Sequence, residues 1–201
     1  GKPTAVGFEG ETRGVLNHYT EWDGVTNYTT MFGQALSVSP VQMASAYQVL
    51  ANEGVRLNPV LVAGCQDEDG NLTAVPKSDP TQVVSASTAN DVMHMLEKIV
   101  EQGGIGQATA VAGYRSGGKT GTAEIKEGTG YGQYYAASFY GMAPIDNPKY
   151  AMGVMIYKPK KVWTNSMAAA AGYQKILSQV LLANRVPPST GKSRDLPTEW
   201  K

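Results

Sequence analysis

The chain has 201 residues, enough for one domain that buries roughly 70% of its unfolded surface. Its 17 basic and 17 acidic residues cancel, which argues against nucleic acid or an anionic membrane surface as a partner. The single cysteine, Cys65, excludes an internal disulfide, and no apolar run approaches the roughly 18 residues of a membrane span.

The opening GKPTAVGFEGE is rich in turn residues and reads as a cut inside something longer. Ser39-Pro40-Val41-Gln42 predicts a capping box with proline at the first helical position, then apolar Met43, Ala46, Tyr47 and Leu50 at helical spacing, closed by Gly54. Asn58 to Gln66 is expected as a strand, Asp67 to Asn71 as a turn and Leu72 to Val75 as a short return strand. Ser87 is expected to cap a second helix with Val92, Met95, Leu96, Ile99 and Val100 on one face, ended by Gly103-Gly104. Tyr134 to Pro144 and Tyr150 to Tyr157, joined through Ile145 to Lys149, should pair as an antiparallel hairpin. Both are small or apolar on both faces, as strands covered by helices on each side would be. A last helix is expected from about Asn165 to Asn184, with Met167, Ala171, Leu177, Val180 and Leu181 turned inward and Pro187-Pro188 as its stop. The tail from Ser189 to Lys201 should lie extended on the surface or be disordered. The fold class is α/β (α+β), with an antiparallel central sheet and helices on both faces.

The stretch from Gly113 to Ile125, GYRSGGKTGTAEI, carries two incompatible readings. Gly113, Gly118, Lys119 and Thr120 spell the phosphate-loop pattern G-x-x-x-x-G-K-[ST]. That loop must run into a helix, whose N-terminus supplies the amides and dipole that hold a phosphate. The residues that follow carry glycines at 121, 128, 130 and 132, each costing about 1 kcal/mol in a helix interior, and favour a strand. As a strand, Gly121 allows a close backbone approach, Thr120 and Thr122 add hydroxyls and Lys119 a cation, a set suited to an extended peptide ending in a carboxylate. A plain exposed strand remains the alternative.

Several segments then point one way. Gly33 to Ala44 with Ala46-Tyr47 and Leu50-Ala51-Asn52, Gly118 to Thr122, and Phe139 to Pro144 with Asp146-Asn-Pro148 together resemble the C-terminal part of the transpeptidase domain of a penicillin-binding protein. The similarity is to the class B, high-molecular-mass type, the division enzymes more than the elongation enzymes. Gly7 to Glu11 resembles the family's Pro-Gly-Glu segment, with Phe8 and Glu9 where a Pro-Gly turn is usual. The resemblance implies acyl transfer from D-alanyl-D-alanine stem peptides of peptidoglycan, blocked by β-lactams. It implies that Lys119 supplies positive potential, that Thr120 and Thr122 hold the substrate carboxylate beside Gly121, and that the Thr122 amide is one of two oxyanion donors. No cofactor is implied. It further implies cell-wall synthesis or divisome proteins as possible partners, and a place at the outer face of the cytoplasmic membrane, anchored by an N-terminal helix outside this chain.

One departure limits that inference. The family's nucleophile lies in Ser-x-x-Lys, with a Ser-x-Asn motif beyond it, both upstream of Lys-Thr-Gly. Here Ser116-Gly-Gly-Lys119 shares its lysine with the strand, Ser189-Thr-Gly-Lys192 lies in the polar tail, and Thr88-Ala-Asn90 opens a helix. The chain is therefore expected to supply one side of an active site, to need the remainder of its transpeptidase domain (residues 1–188 being the C-terminal portion), and to be poorly soluble alone. A penicillin-sensing or non-catalytic module is the second reading, and a nucleotide enzyme the third. His18 and His94 have no partners at metal-ligand spacing, so no metal site is expected. Cys65 is expected as a small apolar filler, Lys126 to Tyr135 as either a flap or a connecting loop, and Glu124 at the cleft mouth without a catalytic role.

Overall fold

The computed structural model describes residues 1–75, 79–128, 130–160 and 167–197. In chain order it forms α1 (Gly24–Thr29), α2 (Pro40–Ala51), β1 (Val55–Arg56), β2 (Gly64–Gln66), β3 (Leu72–Ala74), β4 (Thr81–Gln82), α3 (Ala86–Val100), β5 (Gly117–Glu127), β6 (Gly130–Ala143), β7 (Tyr150–Tyr157) and α4 (Met167–Ala183).

Among the described residues the main sheet is antiparallel, in the order β5-β6-β7. Alternation along β6 divides its side chains between two layers. Phe139 and Ala143 pack with Tyr173, Leu177 and Leu181 of α4, whereas Met142 meets Met93 of α3 with Tyr47 and Leu50 of α2 against it. Helices therefore cover both faces, as the two-sided apolar patterns of β6 and β7 predict.

The capping box forms as expected: Ser39 Oγ accepts from the Gln42 amide at 3.2 Å, and Gln42 Oε1 accepts from the Ser39 amide at 2.7 Å. Elsewhere the expectations need correction. Helix α3 is capped by Ser85, whose Oγ accepts from the Thr88 amide at 3.1 Å, and not by Ser87. Its buried positions are Ala89, Met93, Glu97 and Val100, while Met95 is exposed. Helix α4 buries Ala169, Ala170, Tyr173, Leu177 and Leu181 and leaves Met167 and Ala171 outside. The strand expected from Asn58 is a ladder only over Gly64–Gln66, and Cys65 is exposed on that two-stranded hairpin rather than serving as a core filler. The segment from Lys126 to Tyr135 is not a connecting loop where it is described: β5 runs to Glu127 and β6 begins at Gly130, so it forms the end of the β5–β6 hairpin. The expected start of α4 at Asn165 and the last residues of the tail, from Thr198, lie outside the described residues.

Glycines let the sheet close on its aromatic neighbours. A Cβ on Gly118 would sit 2.5 Å from the Phe139 ring and from the Tyr140 carbonyl oxygen; one on Gly153 would sit 2.0 Å from the Tyr140 ring. Gly118→Ala is therefore expected to cost about 1–3 kcal/mol by overpacking, read as a lowered denaturation midpoint of the transpeptidase domain. An unchanged midpoint would show that β5 and β6 part at no cost.

Candidate active site

Strand β5 starts from a pinned point. Glu97 on the inner face of α3 is 2% exposed, and Arg115 grips it with Nε to Oε1 at 2.6 Å and NH2 to Oε2 at 2.8 Å. His94 Nδ1 lies 3.1 Å from Glu97 Oε2, so this histidine does meet an acidic partner, one turn along its own helix. Burial pushes the Glu97 carboxyl up, but the Arg115 and then the His94 hydrogen bonds outweigh it and hold it below the usual carboxylate range. The same pairing raises Arg115.

The tail completes the clamp. Ser189 Oγ donates to Asp146 Oδ1 at 2.6 Å and accepts from the Arg115 amide at 3.0 Å, and the Ser189 amide donates to the Gly113 carbonyl at 2.9 Å. Further on, Lys98 Nζ donates to Ser193 Oγ at 2.6 Å and Arg194 to Asp91 at 2.7 Å, so the described tail lies extended over α3.

From this anchor the chain runs extended, with no helix after Thr120, which removes the phosphate-loop reading. The four residues singled out from sequence stand in succession on β5: Lys119 opposite Tyr140, Thr120 opposite Phe139, Gly121 opposite Ser138 and Thr122 opposite Ala137. Lys119 and Gly121 thus share one face, Thr120 and Thr122 the other. Among the described residues β5 is an edge strand, leaving the side away from β6 open to an added peptide strand. Lys119 is exposed and folds back so that Nζ donates to the Thr120 carbonyl at 3.1 Å and to Thr120 Oγ1 at 3.2 Å. A substrate carboxylate can replace both acceptors with a charge-assisted one. Gly121 is needed within the sheet as well, since a Cβ there would lie 2.5 Å from Ser138 Oγ.

Neither Ser-x-x-Lys string presents a serine at a helix start. Ser116 is 5% exposed, its hydroxyl has no hydrogen-bond partner, and it stands three extended residues from Lys119, roughly 10 Å along the chain. The Ser189 hydroxyl is occupied by Asp146 and Arg115. Sequence reasoning passed over Glu97 and Arg115 and met Ser189 only as a Ser-x-x-Lys string, yet the three together hold the strand's approach. The available signal was a lone carboxylate on an otherwise apolar helix face, with an arginine two residues ahead of the Gly-Gly-Lys step.

Comparison with known proteins supplies the context. Residues 1–180 match the family model described as "Penicillin binding protein transpeptidase domain". The chain is 38% identical over 170 residues to penicillin-binding protein PbpB of Mycobacterium tuberculosis, covering 80% of this chain and 25% of that protein. It is 32% identical to peptidoglycan D,D-transpeptidase FtsI of Buchnera aphidicola, covering 94% of this chain and 32% of that protein. A crystal structure of penicillin-binding protein 3 from Mycobacterium tuberculosis in complex with ampicillin superimposes with a TM-score of 0.87 at 36% identity, over 96% of this chain and 45% of that one. The chain thus spans between a quarter and a third of the length of these two curated relatives. It belongs to the penicillin-binding protein transpeptidase domain family, matching the C-terminal portion of class B, division-type members.

Proposed function

We propose that the protein carrying this chain is a serine-type peptidoglycan D,D-transpeptidase and that this chain supplies the Lys-Thr-Gly side of its active site. The observation that carries this reading is the edge of β5, where a cation, two hydroxyls and a glycine stand in succession from Lys119 to Thr122. In the proposed cycle a serine from the remainder of the domain attacks the penultimate D-alanyl carbonyl and D-alanine leaves. An amine from a neighbouring strand then resolves the acyl-enzyme. Lys119 contributes positive potential, Thr120 and Thr122 bind the terminal carboxylate, and the Thr122 amide donates to the developing oxyanion. β-Lactams acylate the same serine.

The rest of the domain is the proposed partner of the N-terminal face. Phe8, Leu16, Tyr19, Tyr28 and Met31 there are 50–75% exposed, an apolar surface of the kind that interfaces cover. Among the described residues no helix is long and apolar enough to cross a membrane. The anchor and the extracytoplasmic location are therefore proposed from the kinship alone.

A fluorescent penicillin tests the division of labour. The full-length protein is expected to be labelled covalently and the purified 201-residue chain to stay unlabelled. Covalent label on the isolated chain would sink the claim that the nucleophile lies elsewhere. Formation of cross-linked peptide by the full-length protein separates the enzyme from a penicillin-sensing module, which would be acylated without cross-linking.

A further inference from the structure

A cleft of about 370 Å³ opens beside the proposed carboxylate site, lined by Thr29, Phe32, Gln34, Thr122, Glu124 and Tyr135. Its chemistry is one-sided: a carboxylate, two aromatic rings, an amide and three hydroxyls, with no cationic side chain among the described residues that line it. Tyr135 stands directly opposite Glu124 in the β5–β6 ladder, and Phe32 is 71% exposed. Regular pairing breaks immediately after Glu124, where a bulge shifts the register before Lys126; bulges of this kind re-aim side chains next to active sites. A carboxylate beside aromatic faces suits an ammonium group, which gains from both the charge pair and the ring quadrupoles.

We propose that this cleft receives an ammonium group borne by the peptide substrate, with Glu124 as the specificity residue. The inference rests on the transpeptidase reading. Glu124 is two residues beyond Thr122 on the same strand face, about 7 Å further along the edge. A peptide held by its carboxylate near Lys119 to Thr122 and extended along β5 carries its next side chains past the cleft. The amine that resolves the acyl-enzyme is a second source of the same charge. In that step the amine nitrogen bonds to the acyl carbon and the ester C–O bond breaks. Of the three protons on the incoming ammonium, one stays on the amide, one restores the serine hydroxyl and one leaves to solvent.

The two sources separate in one set of assays on the full-length protein and its Glu124→Gln and Glu124→Asp variants. The donor arm compares D-alanine release from two peptides ending in D-alanyl-D-alanine that differ only in lysine or norleucine at the preceding residue. The acceptor arm measures the ratio of amide to acid product with a lysine-type amine and with hydroxylamine, which is uncharged at neutral pH. Glu124→Gln is expected to lower either the lysine-to-norleucine ratio of kcat/KM or the amide-to-acid ratio for the charged amine by about 5- to 10-fold. The hydroxylamine ratio should hold, and Glu124→Asp should retain most of the preference. Both ratios within twofold of the unsubstituted protein would overturn the proposal. Failure of the unsubstituted protein to release D-alanine from either donor would instead remove the transpeptidase reading, and this one with it.

Discussion

Replacing Lys119 with alanine is expected to lower the rate of acylation by a penicillin or a D-alanyl-D-alanine donor by roughly 100- to 1000-fold, the range for loss of one preorganised donor at a reacting centre. The side chain is exposed and, among the described residues, its hydrogen bonds go to the adjacent Thr120, so its removal leaves no buried group there unsatisfied. Stability should accordingly stay within about 0.5 kcal/mol of the unsubstituted protein. Lys119→Arg keeps the charge but replaces a compact ammonium by a planar fork, so it should recover only part of the rate. Stopped-flow acylation together with a denaturation curve reads both quantities. Near-normal acylation of the alanine variant would show that the cation on β5 does not act on the reacting groups.

The opposite signature is expected one turn of chain earlier. Arg115→Ala leaves Glu97 buried at 2% exposure with His94 as its remaining side-chain partner, and breaking a buried pair in this way costs about 3–5 kcal/mol. Glu97→Ala should cost somewhat less, because Arg115 keeps 17% of its side chain in contact with solvent. The double variant should lose less than the two single losses added together, since each single change strands the other's charge. The sign of the pH dependence follows from the depressed Glu97 carboxyl. Its contribution is fully present above the usual carboxylate value of about 4.3 and is lost as pH falls through the lower folded value. The stability gap between unsubstituted protein and Arg115→Ala should therefore be widest near neutral pH and narrow below about pH 4. A gap that does not change with pH would mean that the pair is worth no more than its packing.

Much of this architecture was legible in the sequence where the signal is local. The Ser39–Gln42 box, the turn from Asp67 to Asn71 and the hairpin of β6 and β7 are each specified by residues within a few positions of one another. Errors arose where a distant partner decides. Ser85 and Ser87 offer the same hydroxyl, and only the chain's path into α3 selects the first. Asn58 to Ala63 has strand composition, but among the described residues its backbone makes isolated hydrogen bonds, Leu61 to Val6 and Val75 to Ala63, and a ladder forms only where Leu72–Ala74 returns. Cys65 is exposed because, among the described residues, that hairpin stays a two-stranded sheet, which no pattern within it could reveal. The site divides along the same line: Lys119 to Thr122 could be read as a strand edge, whereas Glu97 and Ser189 reach Arg115 across 18 and 74 positions of sequence.

The glycines facing Phe139, Tyr140 and Tyr173 also determine how β5, β6 and β7 can align. Backbone hydrogen bonds alone are nearly indifferent to which residues face each other, and a slip of one position would turn every side chain to the opposite layer. Gly118 admits the Phe139 ring, Gly141 lies under the Tyr173 hydroxyl, and Gly153 admits the Tyr140 ring, so any shifted alignment brings a Cβ or a longer side chain against an aromatic ring. The rings act as dowels through a perforated sheet. The position of Lys119 to Thr122 along the edge is thereby indexed by shape and not by the hydrogen-bond ladder alone.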